Sequence, residues 1–170
     1  MHIDDFDTLD AATATATVAV WAAVPTWTDA VVAGRPYGTT AALAAHAAAL
    51  ATTWGRPELD AALAHHPRIG ERPTGDGAEA AASRREQASM TTADDDVAAR
   101  LAAGNRAYEE RFGRVFLVRA AGRTPDEMLA ELERRLHHDD ATEVAEACDQ
   151  LAQIALLRLR GDVTDPEDHP

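Results

Sequence analysis

Apolar residues along this chain recur every three or four positions, and regular alternation of apolar with polar residues is rare. In the last long segment, Val144, Cys148, Leu151, Ile154 and Leu159 fall on one face of a helix. Alanine is abundant, and glycine or proline punctuates the sequence every few helical turns. The pattern predicts an all-α fold: a single compact domain of about seven to eight helices joined by short loops.

Capping and breaking residues mark where the predicted helices begin and end. Thr124 and Glu127 form a capping box around Pro125, and Gly113 directly after Phe112 is a stop signal. The predicted helices run over 7–24, from a Thr26 cap to Gly34, from Thr39 or Thr40 through Thr53, from Pro57 to near His65, over 78–90, from Asp94–Asp96 to Phe112, over 124–136, and from Asp139 or Asp140 to Gly161.

Three stretches are predicted to lack helix. Residues 66–77 hold two prolines and three glycines, which indicates an ordered loop, and loops on a rigid scaffold often carry functional sites. Residues 114–119 form one short apolar, extended stretch, which we expect to be a buried connector. Residues 162–170 are predicted to be a disordered tail, so that 1–161 form the folded domain.

The net charge of the chain argues against certain classes of binding partner. With 16 Lys plus Arg against 29 Asp plus Glu, the formal net charge is -13, which repels phosphate backbones and anionic lipids alike. We therefore expect no nucleic acid and no membrane as a partner. A site for an acidic substrate would need individually placed arginines.

The cysteine count and the chain start bear on location. Cys148 is the only cysteine, so it cannot form an internal disulfide or supply a cysteine-rich metal site. The first residues are acidic where a secretory signal would be basic. The expectation is a cytoplasmic protein.

His65 and His66 stand next to Pro67 at a predicted helix end. One imidazole of such a pair can enter a cleft, but spacing alone favours an ordinary pair at a helix terminus. Adjacent side chains diverge by about 100° around a helix, so the two are poor ligands for one metal. We expect no metal site here.

Ser83, Glu86 and Gln87 lie at i, i+3 and i+4, so a helix would place hydroxyl, carboxylate and amide on one face. That face could bind a small heterocycle, or it could be an ordinary solvent-exposed helix face. Arg158, in an apolar setting, either extends to the surface or meets a buried anion. His137 and His138 indicate only a helix end. Core packing is expected of the three tryptophans and one tyrosine Trp21, Trp27, Trp54 and Tyr37.

Four ordered motifs together resemble the OHCU decarboxylase family, where OHCU is 2-oxo-4-hydroxy-4-carboxy-5-ureidoimidazoline, a late intermediate of urate oxidation. The resemblance spans nearly the whole chain, since Arg35-Pro36-Tyr37 is also similar to a family segment. The motifs are His66-Pro67-Arg68-Ile69-Gly70, Ser83-x-x-Glu86-Gln87, Asn105-x-x-Tyr108-x-x-Arg111-Phe112-Gly113-x-x-Phe116 and Ile154-Ala155-x-x-Arg158-Leu159.

The resemblance implies an all-α homodimer that converts OHCU to (S)-allantoin without metal or organic cofactor, a carboxy-lyase. By position, His66 is similar to the catalytic histidine, and Glu86 and Arg158 to its essential partners. Pro67, Ser83 and Gln87 match substrate contacts. A further family segment, which meets the ligand largely through its backbone, matches Phe116, Leu117, Val118, Arg119 and Ala120.

The chain departs from the family pattern beside the expected site, at Ala82, at Ala88-Ser89 and at Arg114-Val115. Two alternatives therefore stay open. The same site could act on another ureido or imidazoline compound, or the chain could be a non-catalytic helical binding module. Convergence of His66, Glu86 and Arg158 around one cleft would favour the enzyme.

Overall fold

The computed structural model describes residues 1–64, 68–70, 77–88, 90 and 93–166. Within them the backbone forms nine α-helices and no β-strand, so the predicted all-α class is confirmed. None of the helices in this part of the chain is long and apolar enough to cross a membrane. The helices are α1 (Ile3–Thr8), α2 (Ala11–Trp21), α3 (Pro25–Ala33), α4 (Thr40–Ala51), α5 (Arg56–Leu63), α6 (Ala78–Glu86), α7 (Asp95–Phe112), α8 (Pro125–Arg135) and α9 (Asp140–Asp162).

The predicted first helix over 7–24 is wrong, because the chain breaks between α1 and α2. The break follows from Asp10, whose side chain accepts a hydrogen bond from Thr13 N at 3.0 Å and so caps a new helix. The predicted Thr26 cap is also wrong. Helix α3 starts at Pro25, which suits the first helical position since it has no N–H to leave unpaired.

Most of the other capping signals act as predicted. The side chain of Thr39 accepts from Ala42 N at 3.1 Å to start α4, and Asp94 caps α7. Gly113 ends α7 with φ 68°, a left-handed conformation that favours glycine. Glu127 N donates to Thr124 Oγ1 at 3.2 Å while Thr124 N donates to Glu127 Oε2 at 2.8 Å, so the capping box of α8 is complete.

The chain divides into two compact units, which we call unit 1 (residues 1–62 and 152–170) and unit 2 (residues 63–151). In unit 1, α2 packs against α3 and α3 against α4. Trp21 and Trp27 are buried there, as expected of core residues. Trp27 Nε1 donates to Ala47 O at 3.0 Å, so its one polar atom is satisfied inside the core.

Both chain termini of the described structure contribute to unit 1. Ile3 N donates to Thr164 O at 2.9 Å, and Trp21 Nε1 donates to Asp162 Oδ2 at 2.8 Å. Val163 is fully buried. The first residues of the predicted tail are therefore held in unit 1, while residues 167–170 lie outside the described part of the chain.

Unit 2 is built on the packing of α7 against α8. The two helices approach closely at Gly104, where an added Cβ would lie 2.6 Å from Leu132 Cδ2. The core of the unit consists of buried residues from these helices and the segments beside them: Ile69, Val97, Leu101, Tyr108, Phe112, Phe116, Val118, Ala120, Met128, Leu129 and Leu132.

Candidate functional site

Helix α6 and its C-terminal cap carry three of the predicted site residues. Ser83 is buried, and Glu86 and Gln87 are half-buried. The helix is shorter than the predicted 78–90, because it ends at Glu86 with Gln87 as its cap. Gln87 N still donates to Ser83 O at 3.0 Å, so the i, i+4 relation persists and the three side chains share one face.

Two side chains hold the last residues of the histidine motif. Gln87 Oε1 accepts from Gly70 N at 3.1 Å, and Asn105 Nδ2 donates to Ile69 O at 2.9 Å. Asn105 is buried. The segment 68–70 is thus tied to α6 on one side and to α7 on the other. His66 and Pro67, the predicted catalytic and substrate-contact residues just before it, lie outside the described residues, as does His65.

An ion pair adds a third attachment to the same segment. Arg68 Nε contacts Glu109 Oε1 on α7, and Arg68 Nη2 donates to Glu109 Oε2 at 2.9 Å. The bidentate geometry holds the pKa of the Glu109 carboxyl below its ordinary value, chiefly through the hydrogen bond from Arg68. Arg68 is consequently fixed in the fork geometry that suits a carboxylate.

A cavity of about 330 Å³ lies between this segment and α7. Its volume is at the lower end of the range for small-molecule pockets, roughly 300–1,000 Å³. The wall is mixed, with apolar side chains and two arginines. The lining residues are Arg68, Ile69, Gly70, Met90, Ala98, Leu101, Ala102, Asn105 and Arg106.

Residues 115–120, which we call the connector, are non-helical between α7 and α8. Phe116, Leu117, Val118 and Ala120 are buried and Arg119 is half-buried. The prediction of a buried connector in this part of the chain is confirmed.

A buried charged cluster beside the connector was not predicted as part of any site. Arg135 on α8 and Glu143 on α9 are both fully buried and form an ion pair. Tyr108 on α7 donates its hydroxyl to Glu143, and the pKa of Tyr108 is raised by burial and by this hydrogen bond. His138 Nδ1 lies 3.0 Å from Glu143 Oε2.

A sequence signal for this cluster does exist. Arg135 stands three residues after Leu132 and seven after Met128, so it occupies the apolar face of α8. A charged residue on such a face needs a buried partner. The sequence does not say which carboxylate that partner is.

Arg158 lies on the part of α9 that belongs to unit 1. It is buried, and its Nη1 donates to Val20 O at 2.9 Å. Of the two predicted outcomes, extension to the surface is therefore wrong. The backbone carbonyl of Val20 is thus one of the groups that accommodate the guanidinium at this depth.

The predicted site residues thus divide between the two units. Ser83, Glu86, Gln87 and the connector belong to unit 2, and Arg158 to unit 1. The convergence of His66 with Glu86 and Arg158 stays a prediction.

Two of the departures from the family pattern, Arg114 and Ala82, lie at buried positions. Arg114 is buried, its Nη2 donates to Asp140 Oδ1 at 2.8 Å, and its guanidinium lies 5.9 Å from the centroid of the Phe112 ring. Ala82 is buried in α6. Of the Ala88-Ser89 pair, Ser89 lies outside the described residues.

Solved structures with the same helical architecture define the fold class. One is described as a crystal structure of OHCU decarboxylase in the presence of (S)-allantoin. It superposes with a TM-score of 0.71 and 24% sequence identity, and the match covers 84% of this chain and 93% of that chain. Another is described as a crystal structure of (S)-allantoin synthase: TM-score 0.69, 19% identity, 96% of this chain and 54% of that one. At these identities the likeness shows the fold.

Sequence comparison gives the family. The chain belongs to the OHCU decarboxylase family, whose sequence model matches residues 7–160. A 2-oxo-4-hydroxy-4-carboxy-5-ureidoimidazoline decarboxylase of Haloferax volcanii is 37% identical over 98 residues, covering 57% of this chain and 56% of the relative. One of Amia calva is 36% identical over 106 residues, 61% of each chain. The matched part thus spans less than two thirds of either relative.

Proposed function

We propose that this chain decarboxylates OHCU to (S)-allantoin in urate breakdown, with His66 as general acid and base. Membership of the OHCU decarboxylase family over residues 7–160 supports the reaction class, a carboxy-lyase. The observation that carries the site assignment is the hydrogen bond from Gly70 N to Gln87 Oε1. It ties the polar face of α6 to Gly70, the last residue of the motif that begins at His66.

The chemistry of OHCU explains why side chains alone can catalyse its decarboxylation. A ring C=N lies beside the carbon that carries the carboxylate, so the electron pair released with CO₂ forms a ring C=C bond while the nitrogen of the C=N takes up a proton, which gives an enol intermediate. The 4-hydroxyl then loses its proton as the carbonyl forms, and the ring carbon bearing the ureido group gains one. A group that both takes and gives a proton near neutral pH is required, and imidazole fits this task.

Each remaining residue has a proposed role. Glu86 orients His66, and Arg158 holds the anionic or carbonyl oxygens of the substrate. Ser83 and Gln87 bind the ureido and ring amides. Because Gln87 Oε1 already accepts from Gly70 N, its amide nitrogen is the atom that we assign to the substrate. Pro67 contacts the substrate beside the imidazole.

The connector supplies backbone contacts at Phe116, Leu117, Val118, Arg119 and Ala120. A backbone wall of fixed shape binds the ring in one orientation, so protonation occurs on one face and one enantiomer forms. We also propose that the active form is a cytoplasmic homodimer that uses no cofactor, on the basis of the family resemblance and the lone cysteine.

The test compares His66→Ala, Glu86→Ala and Arg158→Ala with wild type in the decay of freshly generated OHCU, followed by circular dichroism. Loss of general acid–base catalysis should lower the rate of His66→Ala by about 10²- to 10⁴-fold. His65→Ala is the matched control, because it removes an adjacent imidazole, and it should keep the wild-type rate. A His66→Ala protein with wild-type rate and product handedness would exclude the assignment.

A substrate panel in the same assay separates the two remaining alternatives. Turnover of a different ureido or imidazoline compound by a wild type that ignores OHCU would keep the site and change the substrate. Absence of turnover across the panel would favour a binding module.

A further inference from the structure

The geometry points to a positioning role for Arg135, Glu143 and Gln150, which fix the backbone of the connector against the substrate. The inference rests on the proposed function, because the connector is where we expect the substrate to meet backbone atoms. None of the three is among the residues assigned above to bind OHCU or to move its protons. They would act through the connector.

Arg135 binds the connector and Glu143 at the same time. Its Nη1 donates to Leu117 O at 2.7 Å, while its Nε donates to Glu143 Oε1 at 3.0 Å and its Nη2 also contacts that carboxylate. The guanidinium carbon lies 4.8 Å from the centroid of the Phe116 ring. Because the guanidinium is planar and every side of it is engaged, Leu117 O has one defined position.

Glu143 is held just as firmly from its other sides. Tyr108 donates to Oε1, and His138 Nδ1 lies 3.0 Å from Oε2. Fully buried charges are costly unless they are paired and hydrogen-bonded. The complete set of partners explains how an ion pair persists at zero exposure, and it makes Arg135 a rigid anchor.

Gln150 provides the second attachment, from α9. Its Oε1 accepts from Arg119 N at 2.9 Å, and the side chain is buried. The two attachments lie on either side of Val118 and use one carbonyl and one amide. Together they set the direction of the Val118 peptide groups, which neither bond would do alone.

A physical reason favours such anchors. A non-helical segment inside a helical unit cannot satisfy its backbone through helix bonds or through a neighbouring strand, so side chains or ordered water must do so. An apolar pair in place of Arg135 and Glu143 would pack at least as stably in general, but it would leave Leu117 O unpaired. The charged pair thus gives the connector a single conformation.

The experiment measures kcat and KM for OHCU together with amide exchange of the connector. Gln150→Leu removes the acceptor for Arg119 N, and Arg135→Lys keeps the charge beside Glu143 but cannot reach Leu117 O simultaneously. Each should raise KM about tenfold, with a smaller change in kcat, since each variant loses one hydrogen bond that fixes the connector against the substrate. Exchange at 115–120 should accelerate more than exchange in α7.

Two further variants separate positioning from stability. Gln150→Glu keeps an acceptor oxygen at the same reach and should return KM toward the wild-type value. Leu151→Ala removes a buried side chain next to Gln150 without removing a connector bond. It should lower the melting temperature and leave KM unchanged.

The outcomes are distinct. An active wild type whose KM stays unchanged in Gln150→Leu and Arg135→Lys overturns the positioning role and leaves the proposed function intact. A KM increase in Leu151→Ala equal to that in Gln150→Leu also overturns it. A wild type with no activity on OHCU refutes the proposed function and this inference with it.

Discussion

Two buried arginines of unit 2 differ in the surroundings of their partners. The side chains of Arg135 and Glu143 are both 0% exposed, whereas Arg114, 3% exposed, pairs with an Asp140 side chain that is 51% exposed. Removing Arg135 leaves the Glu143 carboxylate buried without its charge partner and without access to water. Removing Arg114 leaves the Asp140 carboxylate exposed, so water still solvates it. The free energy of unfolding should therefore respond very differently.

We expect Arg135→Met to destabilise the protein by about 3–5 kcal/mol, the usual effect of leaving one buried charge unpaired. Arg114→Met should change the stability by less than about 1 kcal/mol, because the carboxylate left behind is exposed and stays hydrated. Arg114 also has two buried nitrogens, Nε and Nη1, without a hydrogen-bond partner, so its removal relieves a penalty. Urea unfolding of both variants measures the difference, and equal losses would contradict this account.

Helix α7 shows how packing can outweigh helix propensity. At Gly104, alanine would gain about 1 kcal/mol of propensity, but its Cβ would lie 2.6 Å from Leu132 Cδ2 in the core. Leu132 is fully buried and cannot move into solvent. Overpacking of this kind costs about 1–3 kcal/mol, so we expect Gly104→Ala to lower the midpoint of urea unfolding.

Gly161 on α9 is the matched control, because an added Cβ there meets nothing within 4 Å. Gly161→Ala should raise stability by up to about 1 kcal/mol. If Gly104→Ala were stabilising to the same degree, the close approach of α7 and α8 would be wrong.

The capping box of α8 gives a pH-dependent prediction. Hydrogen bonds from Thr124 hold the pKa of the Glu127 carboxyl below its ordinary value. The stabilisation is therefore fully present above about pH 4.3, the usual glutamate pKa, and is lost as pH falls through the lower, folded-state pKa. Glu127→Gln should lose stability relative to wild type at neutral pH, and the difference should shrink in acid.

Thermal unfolding from pH 7 down to pH 3 would measure this convergence. Thr124→Ala, which removes the other half of the box, should cost about 1 kcal/mol at neutral pH. A gap between Glu127→Gln and wild type that stays constant over the whole pH range would rule out the proposed linkage.

The molecule as a whole carries a formal net charge of -13. Repulsion among these charges destabilises the folded state, and added salt screens it. We expect the melting temperature to rise between about 10 mM and about 100 mM NaCl, where the screening length falls from about 30 Å to about 10 Å. A decrease would mean that the exposed ion pairs contribute more than the net repulsion.

Sequence reasoning about the candidate site succeeded where the relevant interactions are local. The spacing of Ser83, Glu86 and Gln87 fixed their common face, and the apolar run after Gly113 indicated a buried connector. It did not reveal that Asn105 holds Ile69 or that Gln150 holds Arg119, 36 and 31 residues away along the chain. A local pattern carries no information about such partners.

The sequence by itself determined that the described residues form α-helices and no strand, and it determined most of the helix caps. It could do so because helix hydrogen bonds, caps and stop signals act between residues within four or five positions of one another. The break at Asp10 is local as well. There the capping side chain of Asp10 starts a new helix, although the apolar pattern continues through it and predicted one helix. Tertiary structure decided which side chains meet: Arg135 with Glu143, and Gly104 with Leu132. Those pairings depend on how helices far apart in the sequence pack together. Once buried there, a charged side chain needs an oppositely charged partner, and the close approach of two helices leaves room only for glycine.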